Sequence, residues 1–393
     1  MKLAFISMMD TSPWGGSEAL WSATALKAID AGCEVAFSTF RWPETPSAVA
    51  GLEARGATWL PWSVPAREGT AKRWFRGIAR RIPAWQPHLF RQASSFKPIF
   101  DFRPDVVCIN QGGTYDILLH TELREFLRMA GVPYVVLCRF NSDATTLGAA
   151  DRETASAFFR QASWTGFVAE RNLRSAERQM ATRLPNAQVI QSPIDTSRFR
   201  AAPWPSDGVA RFASVARLQA AYKGQDLLLE CLGSPEWKER DWSLQFFGDG
   251  ADRPWLEELV RHYGIDGKVH FCGHVHDVPA VWRENHLLVQ PSRAEGTPQS
   301  LIQAMLCGRP SLVTDVGGCT EWVTDTRTGF VAEAAKGPSL ARALERAWRA
   351  RADWETIGRA ANQTALAKLQ TSPELSLLGV LEECHQGAPT TPR

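Results

Sequence analysis

Short apolar runs recur along the chain, and segments with apolar residues at helical spacing separate them. Apolar runs without polar alternation are typical of strands that are buried on both faces of a sheet. Strands that alternate with helices predict an α/β fold with mainly parallel sheets. The predicted strands span residues 3–9, 34–39, 57–60, 105–110, 133–138, 166–169, 188–191, 211–216, 243–247, 269–273, 286–290 and 328–332.

The chain is long enough, at 393 residues, to need more than one hydrophobic core. Single cores seldom extend beyond about 250–300 residues, so we expect two α/β domains of roughly 150–200 residues each. Pro203, Pro205 and Gly208 lie in a short connection near the middle of the chain. Proline-rich connections couple domains semi-rigidly. We therefore predict one domain over residues 1–200 and a second over residues 201–370.

The segment 286–310 carries the clearest chemical signal. Its predicted strand runs into a loop with Glu295, and Pro298 suits the first position of the helical pattern that follows, because its missing N–H would be unpaired there. The amides near Ser300 and Leu301 then lie at a helix N-terminus, which attracts phosphate. A carboxylate repels phosphate, so the hydroxyls of an attached sugar are the better partner for Glu295. A sugar nucleotide has both parts.

The same segment resembles the E-G-x-[GP]-x-x-L-x-E-A-M-x-x-G-x-P signature of retaining glycosyltransferases of family 4, which are group 1 glycosyltransferases. The matching residues are Glu295, Gly296, Pro298, Leu301, Ala304, Met305, Gly308 and Pro310. In that family the first Glu binds hydroxyls of the donor sugar and the second holds the nucleotide ribose. Gln303 replaces the second Glu here, and an amide lacks charge-assisted hydrogen bonds. The departure bears on donor affinity more than on donor class.

The resemblance implies the GT-B fold, in which two Rossmann-like domains face a central cleft. It also implies that a C-terminal helix and tail, residues 371–393, cross back to the N-terminal domain. The implied donor is a nucleotide-diphospho-sugar held mainly by the second domain, with no cofactor. The implied acceptor is a glycan, a lipid-linked molecule or a small molecule, and no nucleic acid takes part.

Further residues match the donor-binding elements of the family. Arg217 and Lys223 resemble its diphosphate clamp, in which two cations neutralise charge that develops on the leaving group. Gly15 and Gly16 resemble its N-terminal glycine loop, which meets the donor phosphates and the acceptor. The resemblance assigns the remaining donor contacts to Gly248, His274, Gly296, Thr297, Pro298, Gln299, Ser300, Leu301 and Gln303.

Many family members carry a His close to the anomeric carbon in the loop after the strand at residues 133–138. No His stands in that loop here, and Asn141 is the nearest polar substitute by position, with Arg139 and Asp143 as open alternatives. A retaining front-face mechanism needs no protein nucleophile, because the leaving phosphate helps to deprotonate the acceptor. The expected catalytic residues are therefore Glu295, Arg217, Lys223 and Asn141.

Composition adds little positive information. Lys and Arg number 44 and Asp and Glu 42, so the charge gives no reason to expect nucleic acid as a partner. The eight cysteines show no C-x-x-C spacing, which is typical of reduced thiols in a cytoplasmic protein. No apolar segment approaches the roughly 20 residues that span a bilayer.

The histidines do not predict a metal site. His274 and His276 have no third ligand nearby, and the chain contains no D-x-D motif, so we expect metal-independent chemistry. His120 lies in a helical pattern over residues 116–127, where a structural role is expected.

A basic, aromatic stretch at residues 72–82 leaves two interpretations open. An amphipathic helix of this kind binds an anionic membrane surface, which would place the protein at the inner face of the membrane. Alternatively its apolar face packs on the N-terminal domain and its arginines are solvated. The residues concerned are Lys72, Arg73, Trp74, Phe75, Arg76, Ile78, Arg80, Arg81 and Ile82.

Two alternatives to a transferase also stay open. A sugar-nucleotide epimerase of related fold would need acid–base carboxylates and a His, which the N-terminal half does not obviously supply. A catalytically inactive sugar-nucleotide-binding relative is favoured by Gln303 and by the missing His.

Overall fold

The computed structural model describes residues 1–10, 12–62, 96–205 and 208–387, so the basic stretch at residues 72–82 lies outside the described residues. The described residues form two sheets, one with seven strands and one with six. The predicted α/β class is confirmed.

The first sheet has the strand order β3-β2-β1-β4-β5-β6-β7. Strand β1 pairs in parallel with both β2 and β4, as a doubly wound sheet requires. The strands are β1 (Lys2–Ser7), β2 (Glu34–Ser38), β3 (Thr58–Trp59), β4 (Val106–Gly113), β5 (Tyr134–Phe140), β6 (Trp164–Phe167) and β7 (Ala187–Val189).

The second sheet repeats this arrangement, with the order β10-β9-β8-β11-β12-β13 and parallel pairing throughout. Its central strands read as continuous apolar runs because helices cover both faces. The strands are β8 (Ala210–Val215), β9 (Trp242–Phe247), β10 (Val269–Gly273), β11 (Leu287–Gln290), β12 (Ser311–Thr314) and β13 (Gly329–Ala332).

The helices that the structure describes alternate with the strands. In the first half they are α1 (Ala19–Asp30), α2 (Ser47–Ala54), α3 (Lys97–Asp101), α4 (Thr121–Ala130), α5 (Ala149–Gln161) and α6 (Glu170–Met180). In the second half they are α7 (Ala220–Lys223), α8 (Gln225–Leu232), α9 (Pro235–Lys238), α10 (Arg253–Tyr263), α11 (Val278–Glu284), α12 (Gln299–Leu306), α13 (Cys319–Trp322), α14 (Gly337–Arg349), α15 (Trp354–Lys368) and α16 (Pro373–His385). Of the helices in these described ranges, none combines the length and apolarity needed to cross a membrane.

The chain divides into two compact units. Unit 1 comprises residues 1–137, 157–165 and 374–393, and unit 2 comprises residues 138–156 and 166–373. Residues 138–156 and 166–200, which the sequence assigns to the N-terminal domain, therefore group with the second sheet. They do so because the loop after β5 and helix α6 hydrogen-bond to loops of that sheet, as described below.

In unit 2 the order of the strands reverses between β8 and β11. Ligands of open parallel sheets bind at such a switch point, outside the carboxyl ends of the strands. The loops that follow β8 and β11 carry Arg217, Lys223 and Glu295. Topology alone thus brings the predicted catalytic residues of the second sheet to one edge.

Two local predictions need correction. Pro298 has φ −67° and ψ 122°, so it is the extended residue before α12 and the helix begins at Gln299. The helical pattern at residues 116–127 is interrupted at His120, which has φ −119° and ψ 67° and separates a 3-10 turn, Asp116–Leu119, from α4. The ring of His120 packs edge-on against Trp62 and Phe96, with centroids 5.3 and 5.5 Å apart.

Candidate active site

The carboxylate of Glu295 lies at the centre of the candidate site, in the loop after β11. The residue is 4% exposed, and its Oε1 accepts hydrogen bonds from Lys223 Nζ (2.6 Å), Gln290 Nε2 (2.8 Å) and Ser292 Oγ (2.7 Å). Its Oε2 has no hydrogen-bond partner in the part of the chain that the structure describes. Three donors on one oxygen fix the carboxylate and offset the desolvation cost of burying it. The second oxygen is then available to accept a hydrogen bond from a ligand.

The close approach of α7 to the loop after β11 places Lys223 beside Glu295. Gly224 ends α7 with φ +66°, and a Cβ on it would lie 2.1 Å from the carbonyl oxygen of Pro291. Arg293 reinforces this contact because its Nη1 donates to the Ala220 carbonyl (2.6 Å) and its guanidinium pairs with Asp226 at 2.6 and 2.7 Å. Backbone contact and a two-point ion pair together hold the lysine in position.

Glycines let two further loops reach the backbone of Glu295. A Cβ on Gly296 would lie 2.1 Å from the carbonyl oxygen of Arg139, and a Cβ on Gly317 would lie 2.3 Å from that of Glu295. The amide of Gly318 donates to the carbonyl of Gly296 (2.7 Å). The loops after β5, β11 and β12 therefore meet at one point of unit 2.

Asn141 is at this meeting point, but its side chain is engaged. Its backbone forms an isolated antiparallel bridge with Glu295. Its Nδ2 donates to the carbonyl of Asn172 (3.4 Å) and to Oε1 of Gln179 (3.1 Å), and the residue is 5% exposed. Asn172 in turn donates to the backbone carbonyl of Glu295 (3.1 Å). Asn141 thus lies beside the backbone of Glu295, with its amide directed into the interior of unit 2.

The alternatives at the same loop also have partners. Arg139 donates to the Ser192 hydroxyl. Asp143 pairs with Arg171 at 2.6 Å, and Arg171 also pairs with Asp315. Burial raises the pKa of Asp143, but hydrogen bonds from Ser175 and Arg171 outweigh burial and leave that pKa below its ordinary value. Asp143 is therefore an ionised anchor for Arg171.

The residues expected to meet the diphosphate and the nucleotide lie on neighbouring loops of the second sheet. Arg217 follows β8, and its carbonyl accepts from Gln225 Nε2 (2.9 Å). Gly248 has φ +135°, and a Cβ on it would lie 2.2 Å from the carbonyl oxygen of Ala216. His274 is exposed after β10, and its amide donates to Oδ2 of Asp249 (3.0 Å). These loops all leave the carboxyl edge of the sheet.

Helix α12 brings its first turn to the same edge. The hydroxyl of Ser300 donates to Oε1 of Gln290 (3.3 Å), which is itself bonded to Glu295, and Leu301 is fully buried. The amides of the first turn lack acceptors within the helix. Thr297 Oγ1 donates to the carbonyl of Val168 (2.7 Å). Gln303 is half-buried, and its side chain has no hydrogen-bond partner in the described ranges.

Two of the predicted residues belong to unit 1, whereas the cluster around Glu295 belongs to unit 2. Gly15 and Gly16 follow β1 in unit 1, where both are exposed. No group of three or more His, Cys, Asp or Glu side chains suited to a metal is present among the described residues. The rings of His274 and His276 stand edge to face with centroids 4.9 Å apart.

Several side chains of the site have no counterpart in the sequence prediction. Gln290 and Ser292 flank the signature segment, so a search for donors close to Glu295 in sequence would find them. Arg171, Asn172 and Asp315 give no such signal, because more than 100 residues separate Asn172 from Glu295 and Arg171 from Asp315.

Comparison with known proteins bears directly on this second sheet. Residues 210–350 match the family described as glycosyl transferases group 1. Anabaena HepE in complex with UDP-glucose has a similar structure, with a TM-score of 0.72 over 98% of this chain and 100% of that chain and 17% identity. Sucrose-phosphate synthase from Thermosynechococcus elongatus is similar at a TM-score of 0.74 over the same shares, with 16% identity.

The chain has the GT-B fold, so the predicted fold is confirmed. The predicted resemblance to group 1 glycosyltransferases is confirmed for residues 210–350. The matched residues include Arg217, Lys223 and Glu295, whereas Gly15 and Asn141 lie outside them.

Curated relatives match over limited lengths. Alpha-D-kanosaminyltransferase of Streptomyces kanamyceticus is 32% identical over 129 residues, which are 32% of this chain and 33% of the relative. The 2-deoxystreptamine glucosyltransferase of the same organism is 24% identical over 241 residues, which are 56% of this chain and 62% of the relative. The chain thus matches about a third of the first relative and less than two thirds of the second.

Proposed function

We propose that the protein is a glycosyltransferase that moves a sugar from a nucleotide-diphospho-sugar to an acceptor hydroxyl. One observation carries the proposal. Glu295 is a buried carboxylate with one oxygen held by three donors and the other left without a partner among the described residues. A fixed acceptor of this kind suits a sugar hydroxyl, and it lies beside a lysine and a helix N-terminus, which suit phosphate.

Each site residue has a proposed role in the reaction. Arg217 and Lys223 stabilise the diphosphate as the bond between its oxygen and the anomeric carbon breaks. The new bond forms between that carbon and the acceptor oxygen, whose proton goes to the departing phosphate. Glu295 holds hydroxyls of the transferred sugar, and Asn141 keeps the loop after β5 against Glu295. We propose that the reaction retains the anomeric configuration. An inverting attack would need a carboxylate base to take the proton of the acceptor hydroxyl, whereas here the departing phosphate takes that proton.

The donor contacts extend along the loops of the second sheet. Gly248 and His274 border the nucleotide, and Gln303 meets its ribose. The backbone near Gly296, Thr297, Pro298, Gln299, Ser300 and Leu301 receives phosphate and sugar, and Gly15 and Gly16 also bind the donor. We propose that no metal takes part, because two cations already supply the charge that a metal would bring.

The test is release of free nucleotide from a panel of labelled sugar nucleotides, beginning with UDP-glucose because HepE was solved with it. A transferase releases nucleotide and forms a glycoside, with unchanged rates after chelation of divalent metals. An epimerase changes the sugar without release, and an inactive relative binds donor in thermal-shift measurements without turnover. Binding without release of nucleotide from any donor, with acceptors present, would contradict the proposal.

A further inference from the structure

Tyr222 is a large aromatic side chain with 42% of its surface exposed, next to Lys223 in α7. Its ring stands edge to face with that of Phe140, with centroids 5.5 Å apart and planes at 86°. A single exposed apolar side chain needs no functional explanation. The position of this pair is what distinguishes it.

The backbone beneath Tyr222 is held firmly. Its carbonyl accepts from the amides of Arg293 (2.7 Å) and Ala294 (3.3 Å), and its amide donates to the carbonyl of Gln219 (3.0 Å). The ring is therefore presented on a backbone with little freedom to withdraw it. An aromatic side chain with only two rotatable bonds loses little conformational entropy when a ligand packs on it.

The residue that follows each ring in sequence contacts Glu295. Tyr222 precedes Lys223, whose Nζ lies 2.6 Å from the Glu295 carboxylate. Phe140 precedes Asn141, whose backbone bridges Glu295. Consecutive Cα atoms are about 3.8 Å apart. The backbone of each aromatic residue therefore lies one residue away from a residue that contacts Glu295.

We infer that Tyr222 and Phe140 form a subsite for the pyranose ring of a saccharide acceptor, an inference that rests on the proposed function. An acceptor oxygen must come within about 3–3.5 Å of the anomeric carbon, so the acceptor ring must lie beside the donor sugar at Glu295. The C–H groups on one face of a pyranose carry slight positive charge and pack on the negative face of an aromatic ring. An acyclic alcohol offers no such face.

The experiment compares acceptors of different shape with a donor that the panel shows to be active. Rates of transfer to methyl glucopyranosides and to glycerol are measured beside hydrolysis, in which water is the acceptor. The variants are Tyr222→Leu, which removes the ring, and Tyr222→Phe, which keeps it. Trp255→Leu is the matched control, since Trp255 is 45% exposed on α10 of the same unit.

Tyr222→Leu should lower kcat/KM for the pyranosides by roughly three- to tenfold more than it lowers kcat/KM for hydrolysis or for glycerol. Tyr222→Phe and Trp255→Leu should preserve the wild-type ratio. An equal loss for all acceptors, or a wild type that uses water or glycerol but no pyranoside, would overturn the inference. If the wild type releases no nucleotide from any donor, the proposed function itself fails, irrespective of Tyr222.

Discussion

Gln303 is the residue at which the segment 295–310 departs from the glycosyltransferase signature that it resembles, and its side chain has no hydrogen-bond partner in the described part of the chain. An amide accepts weaker hydrogen bonds from hydroxyls than a carboxylate does. If Gln303 meets the ribose, Gln303→Glu should tighten nucleotide binding by about 1 kcal/mol. Calorimetry with UDP measures this, and Gln363→Glu, at an exposed position of α15 in the same unit, is the comparison for added charge alone. Unchanged or weaker binding by Gln303→Glu would mean that the pocket is adapted to the amide.

Asp116 and His120 are two titratable residues of unit 1 with shifted pKa values. Burial raises the pKa of Asp116 to about 6, against a lowering effect of the Gly113 amide and a raising effect of Asp10. Burial lowers the pKa of His120 to about 4, with Asp10 opposing that shift and Arg124 adding to it. The folded protein therefore prefers both groups uncharged.

These two shifts have opposite effects on stability. The contribution of Asp116 is present below pH 4 and is lost as the pH rises through about 6, whereas that of His120 is present above pH 6.5 and is lost as the pH falls through about 4. As the pH rises from 4 to 6, the free energy of unfolding of Asp116→Asn should therefore increase by ~2 to 3 kcal/mol relative to that of the wild type. Over the same pH range the free energy of unfolding of His120→Phe should decrease relative to that of the wild type, because the variant lacks the contribution that His120 makes at higher pH. Urea unfolding across this range gives both slopes, and parallel curves for all three proteins would refute the assignment.

At the scale of elements, positive-φ glycines set how closely the loops approach. Gly224 and Gly264 end α7 and α10 at φ +66° and +63°, but a Cβ on Gly224 would lie 2.1 Å from the Pro291 carbonyl oxygen, whereas the nearest atom at Gly264 is Lys238 Nζ at 3.7 Å. Gly264→Ala should lower the free energy of unfolding by only ~1 to 2 kcal/mol, the cost of a left-handed conformation for a residue with a Cβ. The variant should keep its activity. Gly224→Ala should lose more stability and most nucleotide release, because Lys223 moves. Equal thermal shifts and equal activity in the two variants would argue against this account of α7.

How far the sequence predicts these elements depends on where their determinants lie. Strand β11 and helix α12 agree with their predicted bounds within one or two residues, because a continuous apolar run and a turn with Gly296 and Pro298 are local signals. The interruption at His120 escapes prediction because Ile117, Leu118 and Leu119 continue an apolar pattern although Leu119 is 75% exposed. The turn there depends on a bond from the Gly113 amide to the Asp116 carboxylate.

The same distinction applies to the site. Glu295, Lys223 and Arg217 can be predicted because each stands in a recognisable motif. The side-chain direction of Asn141 cannot, because it depends on Asn172 and Gln179, which approach only in the folded unit. Motifs identify the groups that we propose to meet a ligand, whereas the groups that orient them depend on tertiary contacts between distant segments.

At the scale of the whole molecule, one of the two interpretations of the basic stretch at residues 72–82 is the proposal that the protein contacts an anionic membrane surface. The proposal of peripheral membrane contact predicts co-sedimentation with anionic liposomes at low salt, since each basic residue near the surface contributes about 1 kcal/mol. Binding should weaken as salt rises, because charges are screened within about 8 Å at physiological ionic strength. The variant with Arg73, Arg76, Arg80 and Arg81 changed to Ser should stay in solution. Absence of lipid-dependent sedimentation by the wild type would favour a soluble acceptor.

The most direct test of sugar transfer at this site is the rate of free-nucleotide release by Arg217→Ala and Lys223→Ala. Each cation is proposed to stabilise the leaving diphosphate, so each loss should raise the barrier in kcat/KM by ~2 to 4 kcal/mol, or roughly 30- to 1,000-fold in rate. Arg349→Ala is the control, because Arg349 is 77% exposed on α14 and pairs only with Glu345 among the described ion pairs. The account predicts folded proteins with this loss in both site variants and wild-type release in the control. Near-wild-type release by both site variants would contradict it.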